Sequence, residues 1–149
     1  MQIQEKPYLT GRTFLFSIHK GEDLLLTIQQ FCHHHQVRCG LINAIGAVER
    51  ATISVYDQKA KKYNKINLEK ELEILSLCGN VSLFDDKPMV HAHVMFSDAE
   101  ARAFGGHLVA GTRVFSAEVF MQELTGDPKV RKLEKATQLP LWANPVCLK

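Results

Sequence analysis

The sequence predicts an α+β fold, and three observations carry that reading. A stretch of helical periodicity lies near the N-terminus, a long succession of alternating segments follows it, and neither an internal repeat nor a linker composition divides the 149 residues. A chain of this length can bury a real core, so one domain over residues 1–149 is expected, with a C-terminal tail from about 126.

Residues 13–19, TFLFSIH, are aromatic and β-branched and read as a strand. Lys20-Gly21-Glu22-Asp23 then punctuates, and its acidic pair suits the positive end of a helix beginning there. Leu24, Leu25, Ile28, Phe31 and Cys32 recur at helical spacing, which predicts a helix through about Gln36. His33-His34-His35 falls in its last turn. Consecutive helical side chains splay about 100° apart, so this triplet suits a solvated helix end better than a metal cluster.

From Val37 the pattern becomes that of strands. Residues 41–48 form a small-residue strand in which Gly40 and Gly46 suggest a bulge or close backbone contact. Residues 51–56 read as the next strand, 57–62 as a lysine-rich turn and 63–66 as a further short strand. Residues 71–83 alternate Leu72 and Ile74 with Glu71, Glu73 and Ser76. Asp85-Asp86-Lys87-Pro88 turns the chain, and residues 97–100 are suited to capping a short helical turn. The last strand covers 112–124, with Glu118 and Phe120 on one face and Val119 and Met121 on the other. The tail has mixed charges and Trp142, and a solvated helix is the simplest form for it.

The chemistry concentrates in residues 89–111, MVHAHVMFSDAEARAFGGHLVAG. The first part alternates as a strand, so His91 and His93 share a face, with Cα atoms roughly 6.5–7 Å apart. His107 follows Gly105-Gly106, where bare backbone lets a loop fold closely over that strand. Three imidazoles with no cysteine nearby suggest a divalent transition metal, Zn first and Ni, Fe or Mn as alternatives, with open positions for water or a ligand. The plainer alternative is that these histidines satisfy hydrogen bonds on a half-buried face. Asn43, Glu73 and Asn80 are expected to be structural hydrogen-bonding residues on their strands.

Composition narrows the function classes. Apolar residues make up 46% and charged ones 23%, an ordinary globular balance, and the net charge of +2 demands no polyanionic partner. No run approaches the roughly 18 apolar residues of a membrane span, and the first residues lack a signal-peptide hydrophobic region. Cys32, Cys39, Cys78 and Cys147 are scattered without metal or redox spacing, which predicts reduced thiols and a cytoplasmic address. Gly105-Gly106 has neither the spacing nor the lysine of a phosphate-binding loop.

With those residues in view, the chain resembles the plants-and-prokaryotes conserved (PPC) domain family in its small stand-alone prokaryotic form. The resemblance rests on GLINAIGAVERATISVYD at 40–57, LEILSLCGNVSL at 72–83, KPMVHAHVMFSD at 87–98 and AFGGHLVAGTRVFSAEV at 103–119. It implies a mixed, mostly antiparallel β-sheet flanked by helices, assembly as a homotrimer, and a metal-capable site at His91, His93 and His107. The family is also commonly labelled DNA-binding, because plant members join this domain to AT-hook segments, and no Arg-Gly-Arg-Pro hook occurs here.

Three functional readings follow. The first is a DNA-associated regulatory protein, with Lys59, Lys61, Lys62 and Lys65 clustered around one turn and Lys129, Arg131, Lys132 and Lys135 in the tail. The plainer account of these lysines is a solvated hairpin turn, and weak binding at most is expected. The second is a metal-dependent enzyme or small-molecule binder, with Glu118, facing inward from a neighbouring strand, as candidate general base. The plainer role for Glu118 is an edge or interface carboxylate, with Arg113 or Arg102 as its partner. The third is an assembly module in which metal or trimer serves structure alone.

Overall fold

The computed structural model describes residues 7–143; Cys147 lies outside them. Within them the chain forms β1 (Leu9–Ile18), α1 (Leu24–His35), β2 (Gly40–Asp57), β3 (Lys62–Leu68), β4 (Leu72–Phe84), β5 (Lys87–Ser97), β6 (Ala103–Leu108), β7 (Arg113–Thr125), β8 (Arg131–Glu134) and β9 (Leu139–Trp142). The expected α+β balance is therefore corrected: the described residues are 64% strand and 9% helical, a β-rich fold with one helix among them rather than a sheet flanked by helices. The sheet is also not mixed, since every strand pair is antiparallel and the single parallel contact is the isolated Leu83–Val130 bridge. Helical periodicity predicts α1, the one helix among the described residues.

α1 starts where the acidic pair suggests. Asp23 is its N-cap, accepting from Leu26 N–H, and its other carboxylate oxygen accepts from Gly111 N–H at 2.6 Å. The helix buries Leu24, Ile28 and Cys32 against the sheet, while Phe31 stacks on Phe16 with centroids 4.0 Å apart. It ends at Gln36 in the left-handed conformation, with His33 and His34 exposed, as a solvated helix end requires.

The seven strands of the main sheet run β1-β7-β2-β4-β5-β6, with β3 added to β2. Residues 41–48 and 51–56, expected as two strands, are one 18-residue strand. Its first half pairs with β4 and β7, and its second half pairs with β3 and β6. The change of partners follows register shifts around Gly46, whose φ of +142° no L side chain adopts comfortably. By bending there, β2 reaches β6, and the path β2-β4-β5-β6 closes into a ring. Inside lie Leu77, Val94, Phe96 and Leu108, all at or below 2% exposure.

Three further expectations are corrected. Residues 97–100 form no helical turn; Asp98 instead accepts from the backbone N–H groups of Glu100 and Arg102 in a tight turn between β5 and β6. Gly105-Gly106 is not in a loop but in the middle of β6. The described part of the tail is a β8–β9 hairpin instead of a helix, docked on β4 through Leu83 N–H to the Lys129 carbonyl.

Candidate metal centre

His91 and His93 stand on one face of β5, opposite Val90, Ala92, Val94 and Phe96, which go into the core. β6 runs beside β5 and puts His107 directly across from His93. The glycines permit this: a Cβ on Gly106 would meet the Ser54 carbonyl oxygen at 2.9 Å, and one on Gly79 would meet that of His91 at 2.6 Å. One ring nitrogen from each histidine lies within 4.8 Å of the others, and the set is the one such His/Cys/Asp/Glu group among the described residues. Ligand nitrogens around a tetrahedral ion with 2.0–2.1 Å bonds stand about 3.4 Å apart, so side-chain rotation alone would close the set.

The surroundings fit an ion. His107 Nδ1 is buried and has no hydrogen-bond partner, and neither has the hydroxyl of Ser54, its neighbour across the β2–β6 pair. An orphaned imidazole nitrogen is costly unless something binds it. Burial first, then Arg131 and the other two histidines, pushes the His91 pKa down to about 4, and burial does the same in direction for His107. Both rings are held neutral, the form that offers a lone pair. The plainer reading of strand histidines as hydrogen-bonded residues fails for His107.

Aromatic and basic residues frame the group. Tyr63 of β3 stacks on His107 at 4.9 Å between centroids, and Tyr56 meets Tyr63 edge-on at 5.2 Å while donating its hydroxyl proton to the Thr137 carbonyl. A groove of about 350 Å³ opens here, lined by Ser54, Tyr56, Tyr63, His93 and His107. Over the other side lies Arg131 from the hairpin, 7% exposed, bonded to Ser82, Asn80 and the Pro140 carbonyl, with Nη2 3.4 Å from His91 Nδ1.

The remaining candidates lie elsewhere. Glu118 does not face inward: it is exposed on β7, opposite Ile45 and Ser17, and three strands from β5, on the order of 14 Å by strand spacing. It pairs with neither Arg113, which binds Glu49, nor Arg102, which binds Asp98 and Glu100. Lys59, Lys61, Lys62 and Lys65 are all exposed at and beside the β2–β3 turn. Asn43 makes a long bond to the Leu77 carbonyl, Glu73 is exposed on β4, and Asn80 borders the histidines through Arg131. Arg131 itself was legible only as one of several tail cations, because nothing in the local sequence marks the one that docks.

The fold and site thus define a β-rich domain whose bent central strand closes a ring beside three histidines that could hold a metal ion. The chain belongs to the Plants and Prokaryotes Conserved (PCC, or PPC) domain family, whose model matches residues 6–125. It is 40% identical to a PPC protein of Pyrococcus horikoshii, with a TM-score of 0.91 over 97% of this chain and 100% of that one. A metal-containing protein of Archaeoglobus fulgidus is also 40% identical, with a TM-score of 0.87 over the same shares. A candidate DNA-binding protein of Bacteroides thetaiotaomicron has the same fold at 23% identity, with a TM-score of 0.83 over 91% of this chain and 96% of that one. The bifunctional protein GlmU of Synechococcus sp. (strain JA-3-3Ab) is 31% identical over 79% of this chain, which spans 18% of that protein's length. Among the described residues no helix is long and apolar enough to cross a membrane.

Proposed function

We propose that this protein holds one divalent transition ion, Zn before Ni, Fe or Mn, at His91, His93 and His107, and presents it to a small molecule in the adjoining groove. The observation that carries this is the buried, partnerless Nδ1 of His107 within a carboxylate-free group of three imidazoles. The metal-containing relative at 40% identity supports it. Neutral nitrogen ligands leave the ion its full charge, and a three-histidine set leaves positions for water or a ligand; bound there, the ion would act as a Lewis acid. The chain's own contribution is positional. Tyr63 fixes the plane of the His107 ring, the strand pair sets the spacing of His93 and His107, and the hairpin shields His91 from water. Elemental analysis of untagged protein, wild type against His93→Ala, tests the reading. About one ion per chain in the wild type and near none in the variant is expected; wild type that refuses Zn, Ni, Mn and Fe(II) overturns it.

The same chain assembles, in our reading, as a homotrimer. α1 covers the sheet face bearing Phe14, Phe16 and Met121, and the opposite face exposes Leu15, Leu41, Ile45 and Phe120. An apolar row of that size on one sheet face is the kind of surface a second copy covers. DNA contact through Lys59, Lys61, Lys62 and Lys65 is weak and non-selective, since the cluster is exposed and the net charge is only +2. The reduced thiols of Cys32, Cys39 and Cys78 accord with a cytoplasmic address.

A further inference from the structure

The hairpin that closes over the histidines brings a buried cation with no counter-charge. Arg131 is 7% exposed, and all its acceptors among the described residues are neutral: the Ser82 hydroxyl, the Asn80 amide oxygen, the Pro140 carbonyl and the His91 ring. No carboxylate lines the groove beside His93 and His107, and none is an ion-pair partner of Arg131 among the described residues. Burying a guanidinium without an anion is unfavourable unless the missing charge arrives with a ligand.

Occupation of the histidines sharpens the imbalance. A guanidinium only donates, so at 3.4 Å from Arg131 Nη2 the His91 Nδ1 is the acceptor. If His91 ligates through Nδ1, that lone pair is taken; if through Nε2, Nδ1 carries the proton. In both cases Arg131 loses this acceptor, and a dipositive ion then stands beside an unpaired N–H and a positive charge.

Resting on the metal reading above, we propose that Arg131 and the histidine-held ion together form a receptor for one small oxyanion, the carboxylate or phosphate group of a metabolite-sized ligand. One oxygen takes an open position at the ion, and another accepts from Arg131. The groove of about 350 Å³ meets the group at His93 and His107 and is not lined by Arg131, so the anion spans from the groove side of the ion to the guanidinium at His91. Arg131 lies in β8, outside residues 6–125 that the family model matches.

The test uses the full chain loaded with Co(II), whose visible bands report its ligands. Co(II) stoichiometry is measured first, and then acetate, inorganic phosphate and the uncharged isostere acetamide are titrated. Acetate and phosphate are expected to shift the bands and acetamide to leave them unchanged, and whichever anion binds tighter identifies the group. Arg131→Gln should keep its Co(II) and bind the anions at least tenfold more weakly. Asn80→Asp, which puts a carboxylate against Arg131 without undocking the hairpin, should do the same and decides the matter if Arg131→Gln does not fold. No Co(II) in the wild type overturns the metal reading and this one with it. Full Co(II) with anion affinity unchanged in Asn80→Asp, or with acetamide binding as well as acetate, overturns the oxyanion receptor alone.

Discussion

His93 of β5 and His107 of β6 are direct cross-strand partners, with ring centroids 5.6 Å apart and ring planes at 89°. Thirteen residues of chain lie between them, yet the sheet register sets their spacing. A register shift of one residue would turn His107 to the opposite face. Replacing His107 with alanine should therefore abolish metal uptake as fully as His93→Ala, with little loss of stability in the metal-free protein, since it removes an orphaned polar atom. Metal retained at the wild-type level in His107→Ala would show that the β5 pair binds alone.

Stability of the metal-free protein should depend on pH through the same group. The His91 pKa is pushed down to about 4 in the fold, from about 6.5 in an unfolded chain. Between those values the unfolded chain binds a proton that the folded chain does not, so stability falls as pH drops from about 6.5 to 4 and then levels for this residue. Partial exposure reduces the effect to about 2 kcal/mol. The depressed carboxyls of Asp98 and Glu123 act at lower pH, so the windows separate. Urea unfolding at pH 7 and 4.5 should show the loss in wild type and a flatter profile in His91→Gln.

Gly46 is where β2 bends. A Cβ there would overlap the Ser116 carbonyl oxygen and come within 2.7 Å of Ala117 Cα, at a φ of +142°. Gly46→Ala should cost upwards of about 2 kcal/mol. It should also lower metal affinity, because β6 is anchored to the second half of β2 through Ser54 and His107. Denaturant midpoints and metal titration check both; a variant as stable as wild type would show that the bend does not need glycine.

The homotrimer predicts that charge on the open sheet face disperses the assembly. Ile45 is 56% exposed, and Phe120 lies beside Asn43 in the same sheet. Ile45→Glu with Phe120→Glu should turn a trimer mass into a monomer mass by light scattering, with unchanged circular dichroism. A monomer in the wild type at micromolar concentration would refute the trimer.

DNA binding, if measured, should be micromolar or weaker at physiological salt and fall steeply with added salt. Lys61→Glu with Lys62→Glu should weaken it further. Nanomolar, sequence-selective affinity would contradict this.

Local pattern was sufficient for much of this protein. Period-2 alternation placed β1, β3, β4, β5 and β7, Asp23 and the apolar stripe placed α1, and the spacing His91-x-His93 put two imidazoles on one face. The family was recognisable from the same segments. What failed were the readings that needed long-range contacts. Nothing local says that residues 41–48 and 51–56 are one strand, because continuity through Glu49 and Arg50 depends on pairing with β7 and, just beyond, with β3. Glu118 alternates correctly along its strand, but which face is open depends on where α1 packs. The helix expected in the tail lost to a hairpin that satisfies its backbone by pairing and docks Arg131 against Ser82 and Asn80. Side-chain period is a property of the strand itself, whereas partner, closure and burial are properties of segments far apart in the chain, and only their packing chooses them.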